Sequence, residues 1–208
     1  MQYFVTGATG FIGKRLVKAL LARKGAVVHF LLRRESEGRV AELLDYWGTT
    51  KARAVPVFGD LTGKKLGVSA EDLKSLKAAG IDAVFHLAAI YDLKADAESQ
   101  IAANIDGTRN LIAAAKAAGV RRLVHTSSVS AFGQQENVLD EHSPRLGKQS
   151  WINYERTKAI AEELVLEADA RGDIEAVVLN PAHILGPGDT RNWARMFILL
   201  EQGKLPGA

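Results

Sequence analysis

The chain has 208 residues, of which 47% are hydrophobic and 25% are charged, and its formal net charge is +3. This length suits one domain, and the apolar fraction can fill a sizeable core. Lysines and arginines are scattered rather than gathered in a stripe, which argues against a nucleic-acid partner. The absence of cysteine excludes disulfides, thiolate metal sites and thiol nucleophiles, and we predict no metal site.

The sequence shows no segment of the kind that directs a chain to or through a membrane. The amino terminus enters an apolar strand-like run at once, without the basic and apolar regions of a signal peptide. No apolar run approaches the length needed to cross a bilayer. We therefore expect a cytoplasmic enzyme whose partner is a small molecule.

The first predicted strand, residues 3–6, runs through a glycine-rich turn into a predicted helix near residues 11–23. The turn holds Gly7, Gly10 and Gly13. The first glycine permits a backbone angle that a Cβ forbids, the second leaves room for a pyrophosphate, and the third lets the helix pack close to the strand. Free N–H groups of the first helical turn then face an anion. This pattern predicts a dinucleotide site, and an ordinary strand–helix turn is the alternative.

Strand-like and helical segments alternate along the rest of the chain. Further strands are predicted at 26–32, 53–57, 83–87, 122–126 and 175–179, and helices near 40–47, 70–79, 97–118, 154–171 and 193–200. The strands are nearly continuous in apolar character, which indicates parallel strands covered on both faces. The sequence therefore predicts an α/β fold built on a doubly wound parallel sheet.

The end of the second strand bears on the choice of nicotinamide cofactor. In the dinucleotide fold an acid there binds the ribose 2′-hydroxyl of NAD, whereas an arginine accommodates the 2′-phosphate of NADP. Here Arg33 and Arg34 follow the strand, so NADP(H) is favoured and NAD(H) stays the second option. A solvated arginine pair on a turn is the alternative. Asp60, after the third strand, can bind an adenine amine or serve as a turn residue.

A candidate catalytic group follows the fifth strand. Tyr154 and Lys158 are four residues apart on a predicted helix and so share one face. Because a nearby ammonium favours the phenolate, we expect Lys158 to bring the pKa of Tyr154 into a useful range. Ligands bind at the carboxyl ends of parallel strands, where Ser127 and Ser128 stand. We assign Ser128 to a substrate oxygen and Ser127 to local backbone groups, and interpret His86 as a core histidine.

These motifs occur together and in order with the Asn104–Asn110 segment (N-x-x-G-T-x-N), and the chain resembles the extended short-chain dehydrogenase/reductase superfamily of the epimerase/dehydratase type. The resemblance covers nearly the whole chain. It implies a Rossmann domain at residues 1–180 and the start of a substrate-binding lobe at 181–208, with most of that lobe absent. It also implies that Tyr154 is the acid–base, that Lys158 lowers its pKa and holds the nicotinamide ribose, and that Ser128 orients the reacting oxygen.

The resemblance further implies a set of cofactor contacts. These are Gly7, Thr9, Gly10, Phe11, Ile12, Gly13, Arg33, Asp60, Leu61, Leu87, Ala88, Ala89, Lys158 and Pro181. The helix at 97–118, whose apolar side carries Ile101, Ile105, Leu111 and Ile112, is a candidate homodimer face, and packing on the sheet is the alternative.

The expected activity is NADP(H)-dependent hydride transfer to or from a carbonyl, an alcohol or an acyl thioester. Residues 86–92 resemble the fatty acyl-CoA reductases, whereas Asn180-Pro181 resembles epimerases and dihydroflavonol-type reductases. An NAD-dependent nucleotide-sugar epimerase and a non-catalytic NADP(H) sensor are the alternatives. Val129 and Ser130 stand where dehydratases of the superfamily carry acids, which argues against dehydration.

Overall fold

Six parallel strands form one sheet in the computed structural model, which describes residues 1–91, 95–189 and 193–204, with Trp193 described by its backbone alone. The strands are β1 (Gln2–Thr6), β2 (Val27–Leu32), β3 (Ala54–Phe58), β4 (Ala83–His86), β5 (Arg122–Thr126) and β6 (Glu175–Leu179). Their spatial order is β3-β2-β1-β4-β5-β6, and every neighbouring pair is parallel. This order is that of the Rossmann fold, which confirms the predicted fold class.

Helices connect the strands. They are α1 (Phe11–Leu21), α2 (Val40–Trp47), α3 (Ala70–Ala79), α4 (Ala97–Gln100), α5 (Gly107–Ala118), α6 (Asn153–Ala170) and α7 (Trp193–Glu201). The helix predicted at 97–118 is therefore interrupted, because a π-helical turn, Ile101–Asp106, lies between α4 and α5. The Asn104 side chain in this turn binds the N–H and the carbonyl of Ile90, at 2.7 and 3.2 Å, which ties the turn to the end of β4. Such π-helical turns often occur at functional sites.

The core lies on both faces of the sheet, as alternation along β1 requires. Phe4 packs with residues of α3, α5 and α6, whereas Tyr3 and Val5 pack with residues of α1 and α2. The edge strand β6 differs from the expectation of two covered faces, because Val177 and Leu179 are 48% and 50% exposed. All five residues of β6 alternate between exposed and half-buried positions.

Most of the candidate dimer face is buried against other parts of the same chain. Ile105, Leu111 and Ile112 are buried, and Leu111 and Ile112 belong to the core cluster beside α3 and α6. Ile101 is the exception at 41% exposure. This burial supports packing on the sheet for three of the four residues. Across the described part of the chain, none of the helices has the length and apolar character that crossing a membrane requires.

The close contact of α1 with the preceding turn gives a stability prediction. An added Cβ on Gly13 would overlap the carbonyl oxygen of Gly7, whereas one on Gly38 meets nothing within 4 Å. We expect Gly13→Ala to lower the free energy of unfolding by about 1–3 kcal/mol, because the backbone must shift to admit the methyl group. The matched control, Gly38→Ala, should stay within about 0.5 kcal/mol of wild type. Urea unfolding followed by circular dichroism measures both, and equal stabilities would contradict this account.

Candidate active site

A cleft of about 280 Å³ opens at the carboxyl ends of β1, β4, β5 and β6. Parallel sheets bind ligands at this edge. Its lining comes from the glycine turn (Gly7, Gly10, Phe11, Ile12, Gly13), from the segment after β4 (Leu87, Ala89, Tyr91), from residues 126–130 after β5, from Tyr154 and Lys158 on α6, and from residues 181–184 after β6. The three predicted catalytic side chains therefore share one cleft with most of the predicted cofactor contacts.

The glycine turn has the form that a dinucleotide phosphate needs. Gly7 has φ +75°, and a Cβ there would lie 2.8 Å from the Ala88 nitrogen, so the site excludes a side chain. Gly10 precedes α1 in an extended conformation and no side chain caps the helix. The first N–H groups of α1 are thus left for an anion, as in dinucleotide sites. These residues fit a nicotinamide dinucleotide.

Tyr154 faces Ser128 inside the cleft. Burial raises the pKa of Tyr154, while its hydrogen bond with Ser128 opposes that rise. The direction of the shift is therefore opposite to the one expected from Lys158, because desolvation of the phenolate dominates. The half-exposed ring of Tyr91 stands edge-on to the Tyr154 ring, with 4.8 Å between centroids. Asp92, part of the resemblance to acyl-CoA reductases, lies outside the described residues.

Lys158 lies one helical turn beyond Tyr154 and is 3% exposed. Its ammonium donates a hydrogen bond to the Thr126 carbonyl at 2.8 Å. Burial lowers the pKa of Lys158 to about 8, and the charge of Glu162 acts in the opposite direction. The side chain is therefore still mostly protonated at neutral pH.

Two buried histidines lie beneath the cleft. His86 binds Thr6 Oγ1 at 2.7 Å and Thr108 Oγ1 at 3.1 Å, and burial lowers its pKa to about 3, which agrees with its interpretation as a core residue. His125 lies 5.2 Å away, ring to ring, and neither of its nitrogens has a hydrogen-bond partner among the described residues. Burial also holds the pKa of His125 well below its ordinary value, so both rings are neutral.

Five predicted cofactor residues lie off the cleft lining. Thr9 and Ala88 belong to the turns that bound it, and the Ala88 N–H donates to Thr6 Oγ1 at 3.3 Å. Leu61 lies against Gly107, where an added Cβ would come within 3.2 Å of the Leu61 Cβ.

The other two stand near the ends of β2 and β3. Asp60 Oδ1 accepts hydrogen bonds from the Thr62 N–H at 2.8 Å and the Thr62 hydroxyl at 2.6 Å, which matches the turn interpretation. These bonds, with a smaller effect of Arg33, lower the pKa of Asp60. Arg33 is exposed just beyond β2 and lies 3.5 Å from Glu35.

Sequence reasoning missed Glu162, which is fully buried on α6. Its carboxylate accepts hydrogen bonds from Ser127 at 2.6 Å, Asn180 at 2.7 Å and Arg145 at 2.8 Å. The signal was available in the spacing, because Glu162 follows Lys158 by four residues and thus shares the helix face that carries Tyr154. Within the described residues, no group of three or more histidine and acidic side chains suits a metal ion.

Comparison with known proteins identifies the family of this chain. The family model described as Male sterility protein, an NAD-binding family, matches residues 5–206. The chain belongs to the extended short-chain dehydrogenase/reductase superfamily. Sterol demethylase protein B of Methylococcus capsulatus is 38% identical over 195 residues, which is 92% of this chain and 54% of that protein.

Two further relatives are similar over the same region. A 4-hydroxy-2-methyl-3-oxo-4-farnesyl-3,4-dihydroquinoline-1-oxide ketoreductase of Stigmatella aurantiaca is 37% identical over 91% of this chain and 52% of that protein. The solved terminal R domain from the myxalamid PKS-NRPS biosynthetic pathway superposes with a TM-score of 0.76 at 29% identity, covering 89% of this chain and 50% of that one. The chain therefore spans about half the length of the curated relatives that it matches.

The unpartnered ring of His125 gives a prediction about stability and pH. In the folded chain the pKa of His125 lies well below the ordinary value of 6.5. As the pH falls through about 6.5, His125 therefore takes up a proton in the unfolded chain but stays neutral in the folded chain. Stability is therefore lost as the pH falls below about 6.5. Between about pH 7.5 and about pH 5.5, we expect wild type to lose about 1.4 kcal/mol more than His125→Leu.

Urea unfolding at both pH values measures this difference. The control is His142→Gln, which changes an exposed histidine outside the core. The same loss in His125→Leu and wild type would show that His125 takes up a proton in the folded state.

Proposed function

We propose that this chain forms the cofactor-binding and catalytic part of an NADP(H)-dependent oxidoreductase that interconverts a carbonyl and an alcohol. The observation that supports this most directly is the convergence of Ser128, Tyr154 and Lys158 on the cleft that also contains the glycine turn. Residues 1–180 would form the cofactor-binding domain, and residues 181–208 would begin the part that recognises substrate.

In this proposal the glycine turn and the start of α1 bind the dinucleotide phosphates, and Lys158 holds the nicotinamide ribose. The bound nicotinamide supplies or accepts the hydride. The walls formed by Leu87 and Ala89 on one side and Pro181 on the other then exclude water from the reacting face. Excluding water strengthens every charge interaction inside the cleft.

Tyr154 acts as the proton donor during reduction. Its raised pKa keeps the phenol protonated at neutral pH, which is the form that can give a proton to a developing alkoxide. Ser128 lies within hydrogen-bond reach of the same phenol, so its hydroxyl can share the charge on the substrate oxygen. Lys158 provides a fixed positive charge one helical turn away and favours the phenolate that is left behind.

The substrate is proposed as a ketone with an apolar body, and an acyl thioester is the second candidate. Tyr91 and Ile184, at the mouth of the cleft, are 52% and 36% exposed and offer apolar surface to such a body. Among the relatives, the Stigmatella protein is a ketoreductase by its name, which supports the ketone. The R domain resemblance motivates assaying thioesters beside ketones.

Removing the phenolic hydroxyl tests the acid–base assignment. We expect Tyr154→Phe to lower kcat by about 100-fold or more, because a positioned proton donor contributes at least that much. Cofactor affinity should stay close to wild type. Steady-state NADPH oxidation with a panel of apolar ketones, aldehydes and thioesters measures turnover. The matched control is Tyr46→Phe, at a partly exposed tyrosine of α2 outside the cleft lining. Normal turnover by Tyr154→Phe would show that another group moves the proton.

Cofactor preference tests the role of Arg33. We expect Arg33→Ala to weaken NADPH binding about tenfold to 100-fold, since a hydrogen bond between charged groups contributes about 1.5–3 kcal/mol. NADH binding should change little, because NADH has no 2′-phosphate. Fluorescence titrations of both cofactors measure this. The control is Arg39→Ala, at the last residue of the short 3-10 helix Arg34–Arg39 that follows Arg33. Equal losses for the two cofactors, or nucleotide retained as NAD by the purified protein, would remove the case for NADP(H).

A further inference from the structure

The buried carboxylate of Glu162 is joined to three separate segments of the site. Its Oε2 accepts hydrogen bonds from Ser127 at the end of β5 and from Asn180 at the end of β6. Its Oε1 accepts one from Arg145, in the segment between residues 133 and 152, at 2.8 Å. All three partners donate, which matches an ionised carboxylate, a group that can only accept.

The segments joined in this way carry the chemistry of the cleft. Asn180 uses the same amide nitrogen to bind the Ser128 carbonyl at 3.0 Å, so Glu162 is linked to the backbone of the proposed substrate-orienting serine. Backbone bonds from Ser127 to Leu179 (2.8 Å) and from Val129 to Pro181 (3.1 Å) continue this connection between the two strand ends. The wall at residues 181–184 follows directly.

Glu162 also faces the only buried cation among the described residues. Lys158 precedes it by one helical turn, and the Glu162 charge opposes the effect of burial on the Lys158 ammonium. Among the residues that the structure describes, the other titratable groups around Lys158 are Tyr154 on the same helix and the neutral rings of His86 on β4 and His125 on β5. On the far side of the carboxylate, the guanidinium of Arg145 is half-buried and lies over the Phe132 ring.

We propose that Glu162 is the positioning residue of this site: its carboxylate fixes the ends of β5 and β6 in one arrangement and places a negative charge one helical turn from the Lys158 ammonium. Glu162 touches neither substrate nor cofactor in this role and acts through Ser127, Asn180 and Lys158. The inference rests on the proposed function for the tasks given to Ser128 and Lys158. Its physical content can be measured without turnover.

The first experiment measures the titration of Lys158 directly. In the protein labelled with ¹³C at lysine Cε, the Lys158 resonance is assigned by its loss in Lys158→Arg, and its pKa is followed by NMR. In Glu162→Gln we expect the pKa of Lys158 to fall by about one unit, because an opposite charge nearby is lost. In Arg145→Gln the pKa should rise, because Glu162 loses its compensating cation and a repulsive charge disappears. Two opposite shifts distinguish an electrostatic effect from general loosening.

The second experiment measures the arrangement of the strand ends. Hydrogen exchange of the Ser127 and Val129 amides should be faster in Glu162→Gln than in wild type, since the side-chain bridge that supports their backbone bonds is weakened. The matched control for both experiments is Glu163→Gln. The carboxylate of Glu163, which follows Glu162 in sequence, is half-exposed and pairs with Lys148 at 2.7 Å, away from the cleft. We therefore expect wild-type values of the Lys158 pKa and of the amide exchange rates in this variant.

The outcomes separate the two proposals. The electrostatic part would be overturned if the pKa of Lys158 were equal in Glu162→Gln and Glu163→Gln, or if it shifted in the same direction in Glu162→Gln and Arg145→Gln. The positioning part would be overturned if hydrogen exchange of the Ser127 and Val129 amides were unchanged in Glu162→Gln. If Glu162→Gln does not fold, the electrostatic part is decided by Arg145→Gln, in which the pKa of Lys158 either rises or does not. The positioning part is then decided by Ser127→Ala, in which hydrogen exchange of the Val129 amide either becomes faster or does not. Failure of the wild-type protein to bind NADPH or NADH would instead contradict the proposed function.

Discussion

Packing α6 against the sheet takes two charged side chains, Lys158 and Glu162, out of water, and the arrangement of the site depends on how these charges are compensated. An ion moved into a protein interior costs several kcal/mol unless partners replace its hydration. The Lys158 ammonium donates a hydrogen bond to the Thr126 carbonyl and is stabilised by the charge of Glu162. The Glu162 carboxylate in turn accepts hydrogen bonds from three donors. Thr126, Ser127 and Asn180 lie at or directly after the ends of β5 and β6, whereas Arg145 comes from the segment between residues 133 and 152. Satisfying two buried charges therefore also fixes the positions of the groups around them.

A second set of buried polar contacts holds the opposite side of the cleft. Thr6, at the end of β1, binds both His86 and the Ala88 N–H, and His86 in turn binds Thr108 on α5. The π-helical turn places Asn104 where it can bind the backbone of Ile90 and the hydroxyl of Thr157 on α6. A regular helix from 97 to 118 would rotate the Asn104 side chain relative to α5. The interruption is thus linked to polar contacts that connect α5, α6 and the end of β4.

Much of this was accessible from the sequence because it depends on periodicity and on strand order. All six strands were predicted, and once parallel strands are assumed, their carboxyl ends meet at one edge, which brings Ser128 next to Tyr154. Two features were not accessible. The spacing places Glu162 on the helix face of Lys158, but its burial depends on Arg145, which another segment of the chain brings to it. The outward face of β6 is equally hidden, because Val177 and Leu179 are as apolar as the residues beside them.

The direction in which the pKa of Tyr154 shifts shows why the sequence spacing of two residues alone does not determine a pKa. Spacing places an ammonium near the phenol, which by itself favours the phenolate. Burial acts on both groups at once and disfavours the charged form of each, so it raises the pKa of Tyr154 and lowers that of Lys158. Because the ordinary values are 10.0 for Tyr154 and 10.5 for Lys158, the two pKa values therefore move apart. In such an environment the carboxylate of Glu162 on the same helix face has a larger effect than it would at the surface, because its charge opposes the effect of burial on the Lys158 ammonium.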